Sequence, residues 1–168
     1  FVDGMAVSTI GLTVQQSATN RVSRCSFRVP NPTPSLLSLA KQRADVHVYI
    51  TDGTTTDYFG GVIVSNARRA VTPLTQELII EAHDYGSLAQ TILVNQAYAA
   101  GTKYVDIVKE MWSEFWPYSI DLSGVEHDLR TTTETWRVLN ESLFDATESI
   151  AELLGWSWRV EWKGSSKV

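Results

Sequence analysis

Glu110 and Glu114 stand four residues apart, with Asp106 four residues before them. On a helix that spacing puts all three carboxyls on one side. Two carboxyl groups are the minimum a glycoside hydrolase needs, one as acid and one as nucleophile or base. Lys103 and Lys109 are interspersed with them, which is the pattern of a solvated helix face, so no catalysis is assigned there. The three histidines, His47, His83 and His127, are scattered and show no paired metal-ligand spacing. His83-Asp84 and His127-Asp128 are adjacent pairs, but neighbours along a strand point to opposite faces. No GxSxG elbow and no phosphate loop occurs in the sequence. Gly60-Gly61 runs into Val62-Ile63-Val64, which continue a strand, so the strand-to-helix setting of a dinucleotide fingerprint is missing. The sequence therefore assigns no catalytic residue, no metal ligand and no cofactor.

The 168 residues suffice for one large domain or two small ones with a real hydrophobic core. Cys25 is the one cysteine, which excludes an internal disulfide framework. It alternates with Phe27 and Val29, as a small buried hydrophobe would. The net charge is −5 and is unevenly spread. Residues 1–83 carry seven Lys/Arg against six Asp/Glu, and residues 84–168 carry seven against thirteen. Neither half is basic, which argues against nucleic acid as the main ligand. Arg68-Arg69 is read as a solvated loop. The apolar runs are far shorter than the roughly 20 residues of a membrane helix, so no stable membrane insertion is expected. Phe1-Val2-Asp3-Gly4 lacks the basic and apolar regions of a signal peptide, and a start other than the native N-terminus is expected.

The first half reads as strands. "RVSRCSFRV" alternates from Cys25 onward with Val22 out of register, which predicts a bulge near Ser23-Arg24. Three prolines follow, and Ser35 is the expected cap of a short helix over 36–40. "DVHVYITDG" places Val46, Val48 and Ile50 inward and His47 and Tyr49 outward, with a turn at Asp52-Gly53. "TTTDYFGGVIVSNARRA" is its hairpin partner, and "TQELIIEAHD" is a further strand after Pro73. Five or six strands joined by turns predict an antiparallel sheet or small barrel. Within it, Gly60-Gly61 marks a bend, a bulge or a close backbone approach.

The second half is mixed, and a boundary is expected near residue 83. Asp84 is expected to cap a short helix over "SLAQTILV". "TKYVDIVKEMWSEFW" is the clearest helix, capped by Thr102 and stopped by Pro117. "YSIDL" and "TWRVL" read as short strands. "ESLFDATESIAELLG" reads as a helix capped by Ser142, with Ala146, Ile150, Leu153 and Leu154 inward and Gly155 as its stop. "WSWRVEW" reads as a strand with Trp156, Trp158, Val160 and Trp162 on one face. The fold class is thus α+β: an antiparallel β-barrel over 1–83, then a smaller mixed domain over 84–168. All six tryptophans lie beyond residue 83. They leave open a second reading, a carbohydrate-binding β-module that uses exposed Trp.

An ordered set of motifs resembles the N-terminal part of tail hub proteins of tailed bacteriophages. It comprises "CSFRVPNPTP" (25–34), "FGGVI" (59–63), "LIIEAHDYGSLAQ" (78–90), "LVNQAY" (93–98), "YVDIVKEM" (104–111) and "LFDATESIAELLGWSWRVEW" (143–162). Such hubs are similar in fold to the hub of contractile-tail baseplates and of type VI secretion spikes. The resemblance implies a non-enzymatic virion protein of the tail tip, assembled in the host cytoplasm as a homotrimeric ring. It implies the distal tail protein, tail tube and tape-measure protein as partners, with a spike or fibre beyond. It also implies a second barrel, whereas the chain stops at "EWKGSSKV", where a hairpin is expected to turn, so a fragment is expected. Tyr58, Phe59, Gly60, Gly61, Arg68, Arg69, Asp84 and Tyr85 are the candidate structural and interface residues.

Overall fold

A computed structural model of the chain describes residues 1–16, 22–51, 55–72, 74–125 and 128–160. The expected turn at Asp52-Gly53, together with Pro73, His127 and Trp162, lies outside the described residues. The chain divides into two compact units, one holding Phe1–Tyr85 and the other Gly86–Arg159.

The first unit is a five-stranded antiparallel sheet. Its strands are β1 (Ile10–Gln15), β2 (Arg24–Pro30), β3 (Asp45–Thr51), β4 (Thr55–Thr72) and β5 (Thr75–Asp84), in the order β1-β2-β5-β4-β3. Helix α1 (Pro34–Leu39) lies between β2 and β3 in the chain. The expected alternation holds in β2, where Cys25, Phe27 and Val29 are buried. They pair with Ala82, Ile80 and Leu78 of β5, so one face of the two strands forms the centre of the core. Val46, Phe59, Ile63 and Leu36 complete it. Side chains of this size each contribute roughly 1.5–3 kcal/mol on burial.

β4 makes this sheet a half-barrel. Its first half pairs with β3 and its second half with β5, and only Gly61 and Val62 pair with both. The ladder slips between Val48 and Tyr49, leaving Tyr58 as the extra residue, and again at Val64 between Ile63 and Ser65. Two bulges thus flank the point where β4 passes from one neighbour to the other. Bulges raise local twist and bend the strand, which coils the sheet here.

Several local expectations are corrected. The register of β2 against β5 is unbroken from Arg24, so no bulge falls at Ser23-Arg24. The slip is in β1, between Ile10 and Thr13, where Gly11 takes a positive φ of 63°. Thr33, not Ser35, caps α1. Its hydroxyl accepts from the Leu36 N–H at 3.2 Å, and Pro34 occupies the first turn, where its missing N–H costs nothing. Arg68 and Arg69 are not in a loop but inside β4. The side chain of Ile50 lies outside the described residues. Asp84 ends β5, and its carboxylate accepts from the Ser23 N–H at 2.6 Å.

The second unit packs two helices on a two-stranded sheet. Its elements are α2 (Gly86–Ala89), β6 (Leu93–Tyr98), α3 (Tyr104–Phe115), β7 (Trp136–Ser142) and α4 (Leu143–Leu154), with β6 antiparallel to β7. The helix expected over "SLAQTILV" is only the four residues of α2, because Leu93 and Val94 pair with Ser142 and Glu141 instead. Thr102 does not cap α3. Its hydroxyl donates back to the Ala99 carbonyl at 2.8 Å, and Lys103 takes the cap position without a side-chain bond. "TWRVL" lies in β7 as expected, whereas "YSIDL" forms no strand.

Ser142 caps α4 by accepting from the Asp145 N–H at 3.0 Å, and Gly155 closes it in the left-handed conformation at φ 69°. Ala146, Ile150 and Leu154 are buried as expected, but Leu153 is 54% exposed, because it sits at the rim of the buried stripe. Residues 156–160 form no ladder, although Trp156, Trp158 and Val160 keep the half-buried alternation expected of them.

Gly61 is the position that tests this fold. A Cβ built there lies 2.0 Å from the His83 carbonyl oxygen and 2.8 Å from the Asp84 Cα, both backbone atoms that cannot move alone. Gly61→Ala is expected to destabilise the chain by about 3 kcal/mol or more, the upper range of overpacking. Gly124→Ala, where a Cβ meets nothing within 4 Å, is the matched control and should be nearly neutral. Chemical denaturation of both variants checks this. Equal midpoints would contradict the close approach.

Candidate functional site

The crossing of β3, β4 and β5 brings together four of the candidate residues. Gly60 pairs with His47, and Gly61 pairs with both Val46 and Asp84. Asp84 is tied to the chain before β2 twice: its carboxylate accepts from Ser23, and its own N–H donates to the Ser23 carbonyl at 3.0 Å. Tyr85 follows immediately and is buried to 1% exposure. Its hydroxyl donates to the Asp45 carboxylate at 3.1 Å and lies 2.9 Å from His47 Nε2. With the phenol proton on Asp45, the imidazole must donate through Nε2–H, which fixes its tautomer. The His47 and Tyr85 rings meet edge to face at 6.5 Å.

His47 is therefore half-buried and bonded rather than turned out to solvent, as its place in the strand pattern predicted. Asp45 and His47 are two residues apart, so they share a face of β3. That much is readable from the sequence, and it is the signal by which this trio could have been found. Tyr85 as the third member is not, because it arrives from β5 only after the sheet has coiled.

Tyr58 and Phe59 belong to the same crossing but face differently. Phe59 is in the core, while Tyr58 is the bulged, exposed residue whose carbonyl accepts from the Gln16 side chain at 2.8 Å. Arg68 and Arg69 lie seven and eight residues beyond Gly61, roughly 20–25 Å along the strand. They do not act as a pair. Arg68 is opposite the core residue Leu78 yet is itself exposed. Arg69 is opposite Glu77 on the outer face. Glu77 has a cation within reach, Arg28, at 3.7 Å across the strands.

The chemistry of the crossing is that of a lock. Among the described residues no nucleophile is set beside the Asp45–Tyr85–His47 chain. Cys25 is buried, and burial pushes its thiol up to about 11, which keeps it protonated and unreactive. Burial, with the Arg24 charge beside it, holds the His83 imidazole below its ordinary value, and Glu81 opposes this. No group of three or more His, Cys, Asp or Glu side chains suited to a metal ion occurs among the described residues.

In the second unit the tryptophans build structure. Trp112 Nε1–H donates to the Thr147 hydroxyl at 3.0 Å, which donates in turn to the Leu143 carbonyl at 2.7 Å. Trp158 packs on Phe144 at 4.8 Å and donates to Glu148 at 2.7 Å. Trp156 donates to Asp128 at 3.2 Å, and the Arg130 guanidinium grips the same carboxylate. That guanidinium, first by hydrogen bond, holds the Asp128 carboxyl down at about 2. It also donates to the Leu154 carbonyl at 3.0 Å, at the negative end of α4. No described tryptophan is among the exposed large side chains.

Tyr85→Phe removes the hydroxyl and keeps the ring. It is expected to cost about 1 kcal/mol, the usual worth of a hydrogen bond in a site where the partners keep other contacts. Tyr85→Ala is expected to cost about 3–5 kcal/mol, because the cavity is added. Urea denaturation of both variants separates the two contributions, and a Tyr85→Phe midpoint equal to that of the wild type would mean that the polar chain contributes nothing.

No family model and no curated protein sequence matches the chain. Solved structures do. One is the Escherichia coli c3393 protein, a component of the type VI secretion system described as structurally similar to the T4 bacteriophage tail proteins gp27 and gp5. It superposes with a TM-score of 0.61 at 12% identity, over 90% of this chain and 42% of its own length. A tail protein from Neisseria meningitidis MC58 superposes with a TM-score of 0.52 at 16% identity, over 84% of this chain and 40% of its own. The chain spans about two fifths of the length of these proteins. In fold, this chain is similar to the gp27-like hub proteins of phage tails and type VI secretion systems.

Proposed function

We propose that this chain is a structural segment of a tail-tip or baseplate hub of a tailed bacteriophage. In this reading residues 1–83 are the barrel domain of the hub and 84–168 an α+β insert. Three copies form a ring that connects the tail tube to the receptor-binding or cell-puncturing apparatus. The distal tail protein, tail tube and tape-measure protein are its partners, with a spike or fibre beyond. It acts in the virion, is assembled in the host cytoplasm and catalyses nothing.

The observation that carries this reading is the pair of strand edges the half-barrel leaves open. Among the described residues no strand pairs with the outer side of β1, where Ile10 and Leu12 are exposed. None pairs with residues 65–72 of β4 on the side away from β5. The edge of β3, by contrast, is covered: His47 N–H donates to the Phe1 carbonyl at 3.1 Å and Asp3 N–H to the Asp45 carbonyl at 2.8 Å. Open edges are templates for pairing with another chain. Two edges of different sequence on one subunit can join head to tail, and such contacts close into a ring where the rotation between subunits closes. The fold likeness to tail and secretion proteins supports the same conclusion.

Tyr58, Arg68 and Arg69 are the proposed contact residues, because all three are exposed on β4. Phe59, Gly60, Gly61, Asp84 and Tyr85 position that strand from behind. An acidic partner surface suits the arginines, and residues 84–168 of a neighbouring copy carry thirteen acids against seven bases. Native mass spectrometry at rising concentration tests the reading. Three-copy particles are expected, and Arg68→Glu with Arg69→Glu should raise the concentration needed by about tenfold or more, since like charges then face each other. A chain that stays monomeric throughout would contradict the ring.

A further inference from the structure

The turn that carries β4 into β5 is built as a rigid mount for apolar side chains. Leu74 is 94% exposed, and Val71 at the end of β4 is exposed too. Single exposed leucines are common on protein surfaces and need no explanation. This one sits on a turn that is braced from two sides. The Thr72 hydroxyl accepts from the Thr75 N–H at 3.1 Å and from the Leu74 N–H at 3.3 Å, and it meets the Thr75 hydroxyl at 2.6 Å. Asn31 holds the next residue. Its side-chain oxygen accepts from the Gln76 N–H at 3.2 Å, and its own N–H donates to the Gln76 carbonyl at 2.7 Å. Apolar side chains on a braced turn have little backbone freedom left to lose on binding.

The other open edge carries its own exposed apolar pair, Ile10 and Leu12, at the start of β1. β1 contains no charged residue, so covering its edge desolvates no charge of its own. Strand direction then decides what can lie beside what. β1 is antiparallel to β2, β2 to β5 and β5 to β4, so β1 runs opposite to β4. Rotation about an axis along the strands preserves that relation between copies. A neighbour's β1 brought beside residues 65–72 therefore pairs antiparallel with them. The end of β4 that carries Val71 and Leu74 then meets the end of β1 that carries Ile10 and Leu12. The self-paired alternatives lose this match. Two β4 edges joined together put the arginines of both copies into one ladder, where like charges repel. Two β1 edges joined together leave Val71 and Leu74 bare.

We infer that the β4–β5 turn is an anchor for a second copy of this chain. The neighbour's β1 adds to residues 65–72 as an antiparallel strand, and Leu74 and Val71 close over its Ile10 and Leu12. This rests on the ring reading, and it names which edge meets which, in what sense, and which side chains hold the contact. Backbone hydrogen bonds along the ladder supply the pairing. The apolar contact at one end sets the register, since a slip by one residue turns the added strand's side chains to the other face. Arg68 and Arg69 point to opposite faces of that ladder, so their apolar stems flank the added strand while their charged heads stay in water.

Cysteine cross-linking between copies tests this. A Val71→Cys chain mixed with an Ile10→Cys or a Leu12→Cys chain is expected to give a disulfide-linked pair, because paired strands bring Cβ atoms within disulfide reach. Val71→Cys mixed with Gln15→Cys, the match a parallel strand would make, should give none. The native Cys25 is buried and stays out of the reaction. Leu74→Ser should raise the concentration needed for assembly by about tenfold or more, the loss expected when a leucine is no longer covered. Leu74 is bare in the single chain, so the fold should survive, and circular dichroism checks that. Leu129→Ser removes an equally bare leucine of the second unit and should change nothing. Three results would overturn the anchor and leave the ring reading standing. They are assembly without a link from either expected mixture, a link from Val71→Cys alone or with Gln15→Cys, and Leu74→Ser assembling at the wild-type concentration. A wild-type chain that never assembles would overturn both.

Discussion

The approach of the β5 backbone to Gly61 is the constraint on which the first unit depends. A strand of 18 residues cannot stay flat while serving β3 with one half and β5 with the other. It must bend at the transfer, and the bend drives the His83 carbonyl into the space a side chain would fill. Only glycine tolerates that. The bulges at Tyr58 and Val64 supply the coil on either side, and the tie between Asp84 and Ser23 holds the end of β5 in place. Tyr85 then bonds Asp45 and His47 on β3. The same few residues thus set the curvature of the sheet and decide which of its edges remain open.

Those edges link the fold to its proposed role. A curved sheet that stops short of closing keeps backbone donors and acceptors unpaired at its rims, and proteins normally blunt such rims. This chain blunts one of them, β3, with residues 1–5. It leaves β1 and the far half of β4 without strand partners among the described residues. In the proposed ring these are the edges that neighbouring copies would occupy. The second unit is built differently, around Trp112, Thr147 and the α3–α4 contact, with its aromatic side chains committed to internal packing.

Much of the organisation was legible in the sequence because the physics is local. The alternation of Cys25, Phe27 and Val29 specifies which face of β2 is buried. Ser142 and Gly155 mark both ends of α4, since a capping hydroxyl and a left-handed glycine act on their own helix. The failures occur where a distant partner decides. "TILV" has no local reason to prefer strand over helix; pairing with β7 settles it. The Asp84 carboxylate serves the Ser23 amide, 61 residues earlier, a partner that no local pattern announces. Arg68 and Arg69 read as a solvated loop, but pairing with β5 holds them inside β4, and a strand sends adjacent side chains to opposite faces. Glu110 and Glu114 were visible as a pair, whereas the Gln96 amide reaches them only through the packing of β6 on α3.

The central claim is that the open edges of β1 and β4 are occupied by neighbouring copies. Amide hydrogen exchange measured below and above the assembly concentration tests it residue by residue. The account predicts new protection at Ile10–Gln15 and at residues 65–72, with little change in β2 and β5, which are already paired on both sides. Edge amides that exchange equally fast at both concentrations, while the chain assembles through some other surface, would contradict it.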